Sequence, residues 1–304
     1  MGSVISSIID KVPTVGRDSV VFDPVRNVIG RGAYATVYKG TQGSRPVAIK
    51  KIHEILIEGA GSDGNLETLL LNFKREADIL QTAKHPHIVK YFGIFSCQRD
   101  HLMLVMELMQ QSLSQFLQHN KGTLSKRHQV SVCRQIASAV YFLHEHDPQI
   151  LHRDIQPGNI LLNASGTIAK LSDLGQARFC PRDKAYLATT APGCIPYMPP
   201  EVLISNHSRF TAKSDVFSFG VVMLVTSTQE HPSCGLIKKE KENEIERRAA
   251  DLVLISDEHP LKSIILLCLK DEPDERPDMD VVFTLIQKYF VSMGPHACMY
   301  CIIT

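Results

Sequence analysis

The stretch Leu151-His152-Arg153-Asp154-Ile155-Gln156-Pro157-Gly158-Asn159 places an Asp five residues ahead of an Asn, and Asp173-Leu174-Gly175 begins nineteen residues after that first acid. A carboxylate able to take a proton, an amide oxygen and a second carboxylate form a set suited to general-base work beside a hard divalent cation, which prefers oxygen ligands. Each short string is common by itself. The ordered set is not, and the rest of the chain can be read outward from it.

Towards the N-terminus, Gly30-Arg31-Gly32-Ala33-Tyr34-Ala35-Thr36-Val37 puts glycines between two strand-like runs, and Val47-Ala48-Ile49-Lys50 is a β-rich run that ends in a lysine. Glycines in such a turn let the main chain close over phosphate oxygens, because a side chain would hold it away. An ordinary hairpin with a glycine bulge reads the same way in isolation. Next comes a helical period, with Leu66, Leu69, Leu70, Phe73, Ala77 and Leu80 at three- and four-residue steps. Glu76 shares the inward edge with Phe73 and Leu80, so it is the expected ion-pair partner of Lys50.

Towards the C-terminus come Tyr197-Met198-Pro199-Pro200-Glu201, Ser214-Asp215-Val216-Phe217-Ser218-Phe219-Gly220 and Asp274-Glu275-Arg276-Pro277. Taken in order, the motifs resemble a eukaryotic protein kinase domain of serine/threonine type, similar to the tyrosine-kinase-like group, across residues 25–290. The resemblance implies an α+β, two-lobed fold: a small antiparallel-sheet N-lobe with one main helix, and a larger, mostly helical C-lobe. It implies ATP and Mg2+ as cofactors and protein hydroxyls as acceptors. Asp154, Lys50 and Glu76 would be the catalytic residues, and Asn159 and Asp173 would hold the metal. Gly30, Arg31, Gly32, Val37, Ala48, Lys50 and Leu161 would surround the nucleotide, with Met106 behind the adenine and Glu107 to Met109 offering it backbone hydrogen bonds. Glu201 would pair with Arg276, and Asp215 would brace the backbone at His152 and Arg153. Arg153 would meet a phosphate on Tyr186, Thr189 or Thr190, unless it merely pairs with a neighbouring acid.

Five positions depart from the family pattern, among them Leu174 in place of a phenylalanine and Pro199 in place of an alanine. Ala35 stands where a third glycine is usual, Gln156 where a lysine is usual, and Cys194 where a threonine is usual. A charge lost beside the transferred phosphate removes a few kcal/mol of transition-state stabilisation, which slows turnover by about 10- to 1,000-fold. A weakly active or inactive pseudokinase, acting as a nucleotide-binding scaffold, is therefore the alternative. Pro157-Gly158-Asn159, and the lack of any Trp, favour serine/threonine over tyrosine substrates, with dual specificity left open.

The 304 residues suffice for a large core, and 33 Lys plus Arg against 32 Asp plus Glu offer no general field for nucleic acid. The expected organisation is an N-terminal extension over 1–24, an N-lobe over 25–107, a hinge over 107–111, a C-lobe over 112–290 and a tail over 291–304. The alternating charges of 238–248 read as a solvated face. Eight cysteines lack framework spacing, and the chain shows neither a secretory start nor an apolar run of about 18 residues, so reduced cytoplasmic thiols are expected. Cys298-x-x-Cys301 has no second pair for zinc. Met1-Gly2-Ser3-Val4-Ile5-Ser6 fits an N-myristoylation pattern, and Cys301-Ile302-Ile303-Thr304 fits a prenylation box, which together suggest weak membrane attachment through a lipidated Gly2 or Cys301.

Overall fold

The computed structural model of the chain describes residues 14–15, 20–32, 35–53, 65–96, 102–182, 184–188, 193–204, 208–230 and 255–294. These divide into two compact units, 1–109 and 110–304. The charged run 238–248, the lipidation motifs at Gly2 and Cys301, the Cys298 pair, and Thr189 and Thr190 lie outside the described residues.

The first unit is built on an antiparallel sheet of β1 (Val20–Val21), β2 (Val28–Arg31), β3 (Ala35–Gln42), β4 (Arg45–Ile52), β5 (Tyr91–Ser96) and β6 (Leu102–Glu107). The strand order is β1-β3-β4-β6-β5, with β2 also on β3. Val47 and Ile49 are fully buried, as expected for β-branched residues on a pleated inner face. Gly40 is obligatory here: a Cβ would lie 2.6 Å from both Val21 O and Ile49 Cδ1. Helix α1 (Asn65–Thr82) buries Phe73, Ala77 and Leu80 as the period predicts, and Glu76 with them. Strand β5 begins only at Tyr91, because residues 86–87 form a turn after the helix.

The N-terminal extension joins this sheet, which its sequence did not announce. Thr14 forms a parallel bridge to Ile94, and Val15 N donates to Ile94 O at 2.7 Å. Val15 and Val20 then bury against Val47, Ile49, Phe95, Met103 and Val105.

In the second unit, β7 (Gln111–Ser112) leads into α2 (Leu113–His119), whose Ser112 and Gln115 form a reciprocal capping box. Helix α3 (Lys126–Glu145) buries Val132, Ile136, Val140 and Leu143 on one face. It is followed by β8 (Gln149–Leu151), β9 (Ile160–Leu162), β10 (Ala169–Leu171), β11 (Arg178–Cys180) and β12 (Tyr186–Ala188). After these come α4 (Pro200–Ile204), β13 (Ser208–Phe210), α5 (Ala212–Thr228), α6 (Lys262–Cys268) and α7 (Met279–Ser292). Helix α5 is buried on nearly all sides, the mark of a central helix, and α6 packs against it. Helix α7 packs on α3, with the rings of Tyr141 and Phe283 stacked at 6.0 Å. The short strands fix the loops that carry the acids: β9 pairs with β7 and β10, β11 with β8, and β12 with β13. Among the described residues, no helix is long and apolar enough to cross a membrane.

Candidate active site

Two groups of predicted residues come together, each within its own unit. In the first unit, Lys50 lies on β4 with Val37 on one neighbouring strand and Leu104 on the other. Its Nζ donates to Glu76 Oε1 at 2.7 Å, joining residues 26 apart in sequence. Glu76 is almost buried and Lys50 largely so, and a pair withdrawn from water keeps much of its attraction. The lysine is thereby held in one orientation instead of wandering in solvent.

The other nucleotide candidates of this unit share the same sheet. Gly30 pairs with Val37, Arg31 with Thr36, and Ala48 with Met106. Gly32 N donates to Ala35 O at 2.9 Å, closing the glycine turn, and the Thr36 hydroxyl lies 2.9 Å from His53 Nε2. Glu107 N already donates to Lys90 O at 2.8 Å, so a base could be met there by the Glu107 carbonyl but not by its N–H.

In the second unit, the Asp154 carboxylate is held by two amides. Gln156 Nε2 donates to Oδ1 at 2.9 Å and Asn159 Nδ2 to Oδ2 at 2.8 Å, while Nδ2 also reaches the Asp154 carbonyl at 2.9 Å. Burial raises the Asp154 pKa above the usual carboxylate value and the nearby charge of Asp173 adds to this; His152, Asn159 and Gln156 oppose it. Gly193, with φ at +109°, passes close by: a Cβ there would lie 3.0 Å from Arg153 O and 3.1 Å from Asp154 Oδ1.

Asp173 takes a left-handed backbone (φ +57°) and its Oδ1 accepts from Gly175 N at 3.4 Å. The preceding Ser172 donates through both N and Oγ to Asn159 O, each at 2.8 Å, which ties the two candidate metal-binding residues to one another. The amide nitrogen of Asn159 is committed to Asp154, so its Oδ1 and the Asp173 carboxylate are oxygen donors of the kind Mg2+ takes alongside phosphate oxygens. The residues therefore fit that ion. Leu161, on β9, sits in register with Ser112 and Lys170.

Beneath this loop, Asp215 accepts from His152 N and Arg153 N at 2.8 Å each, as the motif implied. His144 Nε2 lies 3.0 Å from Asp215 Oδ2. Burial alone would raise the Asp215 pKa, but the hydrogen bond and charge of His144, with His152 and the Arg153 N–H, bring it below the usual value. His152 Nδ1 accepts from Asp154 N at 3.3 Å and its Nε2 meets Ser172 O at 3.1 Å, so the ring ties the two acid-bearing loops. Arg276 makes the expected fork to Glu201. Sequence reading weighed His144 only as a zinc ligand and passed over Ser172; a histidine at the end of an apolar helix face and a hydroxyl next to an acid are the traces these roles leave.

Comparison with known proteins agrees with this geometry. A family model described as protein tyrosine and serine/threonine kinase matches residues 24–286. The chain is 31% identical over 278 residues to the leucine-rich repeat receptor protein kinase EMS1 of Arabidopsis thaliana, covering 84% of this chain and 22% of the receptor. It is 35% identical over 209 residues to the L-type lectin-domain containing receptor kinase VIII.2 of the same plant, covering 67% of this chain and 27% of that one. With the probable serine/threonine-protein kinase PBL8, also from Arabidopsis thaliana, identity is 31% over 287 residues, 85% of this chain and 67% of the relative. The chain thus spans about a quarter of the length of the two receptor kinases.

Proposed function

Because the chain belongs to the protein tyrosine and serine/threonine kinase family, we propose that it transfers the γ-phosphoryl group of ATP to serine or threonine hydroxyls of proteins. In this reading the acceptor oxygen attacks the γ-phosphorus while its proton passes to Asp154. The bond to the β–γ bridging oxygen breaks and ADP leaves. The observation that carries the reading is the Asp154 carboxylate, fixed on both oxygens by amide N–H groups at 2.8 and 2.9 Å. A buried carboxylate with a raised pKa is suited to receive a proton.

Lys50, held by Glu76, would meet the α- and β-phosphates. Met106, the Glu107 carbonyl and Met109 would meet the base, with Ala48, Val37 and Leu161 as apolar walls and Gly30, Arg31 and Gly32 along the phosphates. Asn159 and Asp173 would hold Mg2+, which when bound supplies positive charge to the phosphate oxygens. Attachment to the cytoplasmic face of a membrane through a lipidated Gly2 or Cys301 belongs to the same reading, since location at a membrane narrows the set of substrates that are met. One acyl chain gives a binding constant of only about 10⁴ per molar, so two signals would matter.

Radiolabelled phosphate transfer from ATP to a generic protein substrate tests the proposal against Asp154→Asn and Asp173→Asn. Label with the native chain and none with either variant is the expected result. Equal background in all three, with nucleotide still raising the melting temperature, would instead make the chain a nucleotide-binding scaffold, the reading that Gln156 and Cys194 favour.

A further inference from the structure

Arg153 precedes the proton acceptor, and its side chain meets an unusual environment. It is only 7% exposed, and among the described residues neither its Nε nor its Nη1 has a hydrogen-bond acceptor. A buried guanidinium ordinarily needs oxygen partners, because removing its charge from water is costly. Here two aromatic faces meet it. Its Cζ lies 4.5 Å from the ring centre of Tyr186 and 4.8 Å from that of Phe210.

The two rings come from opposed positions of one hairpin-like pair, since Tyr186 on β12 stands directly across from Phe210 on β13. Phe210 is buried with Leu151, Cys180, Met198, Val202 and Leu203, and Tyr186 packs against that cluster. Arg178 Nε donates to the Tyr186 hydroxyl at 3.4 Å, and Arg178 Nη1 is fixed to Ala177 O at 2.8 Å. On its backbone side, Arg153 is held by Asp215 in a left-handed conformation, with φ at +67°. Burial, and then the charge of Arg178, lower its pKa to about 10, while the Tyr186 hydroxyl and the charge of Asp215 act in the opposite direction.

A planar, weakly hydrated guanidinium is the cation best suited to aromatic faces. We propose that Tyr186 and Phe210 form an aromatic seat for Arg153 and so act as positioning residues for Asp154, holding β12 against the catalytic loop without a phosphate group on it. The inference rests on the kinase reading for its effect on turnover, but the seat itself does not depend on that reading.

The test compares Tyr186→Leu, which keeps bulk but loses the ring, with Tyr186→Phe, which keeps the ring and cannot be phosphorylated. Tyr186→Leu is expected to lower kcat about tenfold with KM for ATP little changed, while Tyr186→Phe and phosphatase-treated native protein keep their activity. Amide hydrogen exchange in the peptide spanning 150–158 should quicken in Tyr186→Leu and match the native protein in Tyr186→Phe. If Tyr186→Phe is as impaired as Tyr186→Leu, if phosphatase abolishes activity, or if exchange is identical in all three proteins, the seat is wrong. Should the native chain transfer no more phosphate than Asp154→Asn while the exchange pattern appears as expected, the kinase reading fails and the seat stands.

Discussion

Arg276 grips Glu201 with a two-pronged bond, Nη1 to Oε1 at 2.8 Å and Nη2 to Oε2 at 2.9 Å, although 75 residues separate them. Its other N–H groups go to the carbonyls of Lys270, Asp271 and Lys213, and its guanidinium lies 4.8 Å from the Phe217 ring centre. The arginine is fully buried, so Glu201→Ala strands a charge that has no water to turn to. The expected loss is about 3–5 kcal/mol of unfolding free energy, measured by urea denaturation. A loss below about 1 kcal/mol would mean the pair behaves like a solvent-exposed one.

Lys50 and Glu76 touch at 2.7 Å, with Glu76 almost buried and Lys50 largely so. Glu76→Gln should release the lysine from its fixed orientation and lower kcat/KM for ATP by about 10²-fold, and Lys50→Met should lower it at least as much. Steady-state kinetics with varied ATP would decide this; a Glu76→Gln enzyme at native efficiency would show that the lysine needs no partner.

Gln156 supplies an N–H to Asp154 but no charge. Gln156→Lys can keep the hydrogen bond and add a cation beside the transferred phosphate, so kcat should rise about tenfold. Gln156→Leu, which offers no donor, should fall below the native rate. If the lysine variant is no faster, lack of charge at this position is not what limits turnover.

His259 is held in its neutral form by geometry. Its Nδ1 accepts from Leu261 N at 3.2 Å and its Nε2 lies 2.9 Å from Gln129 Oε1, so the proton sits on Nε2. Burial, helped by the charge of Lys126, lowers its pKa from 6.5 to about 4. The unfolded chain therefore takes up a proton as pH falls from 6.5 towards 4 that the folded chain refuses, and stability falls through that window. In His259→Gln that part of the fall should vanish, which thermal unfolding between pH 7 and pH 4.5 would reveal. Parallel pH profiles for the two proteins would rule the histidine out as a contributor.

The residues of the candidate site were legible because they stand at particular spacings: Asp154, Asn159 and Asp173 could be read from 20 residues of chain, and Glu76 from its place on a helix edge. Sheet and helices were legible where hydrophobic periods ran long enough, as in α1 and α3. What stayed hidden depends on packing between distant residues of ordinary type. Nothing in the string of letters says that Tyr186 and Phe210, 24 positions apart, will face each other across two three-residue strands and receive Arg153. Strands that short carry too few residues to show a period. The Gln156 departure was visible, but its hydrogen bond to Asp154 was not, since only coordinates tell whether a side chain turns inward.

The two valines at the start of the described chain have a practical bearing. Val15 and Val20 cap hydrocarbon that Val47, Ile49, Phe95, Met103 and Val105 would otherwise show to solvent. A recombinant fragment trimmed to the family match, 24–286, would lack this lid and carry a sticky patch with an unpaired strand edge at Ile94. Such a fragment should clump on concentration where the longer chain stays dispersed, so enzymology on this protein is best begun with its first two dozen residues in place.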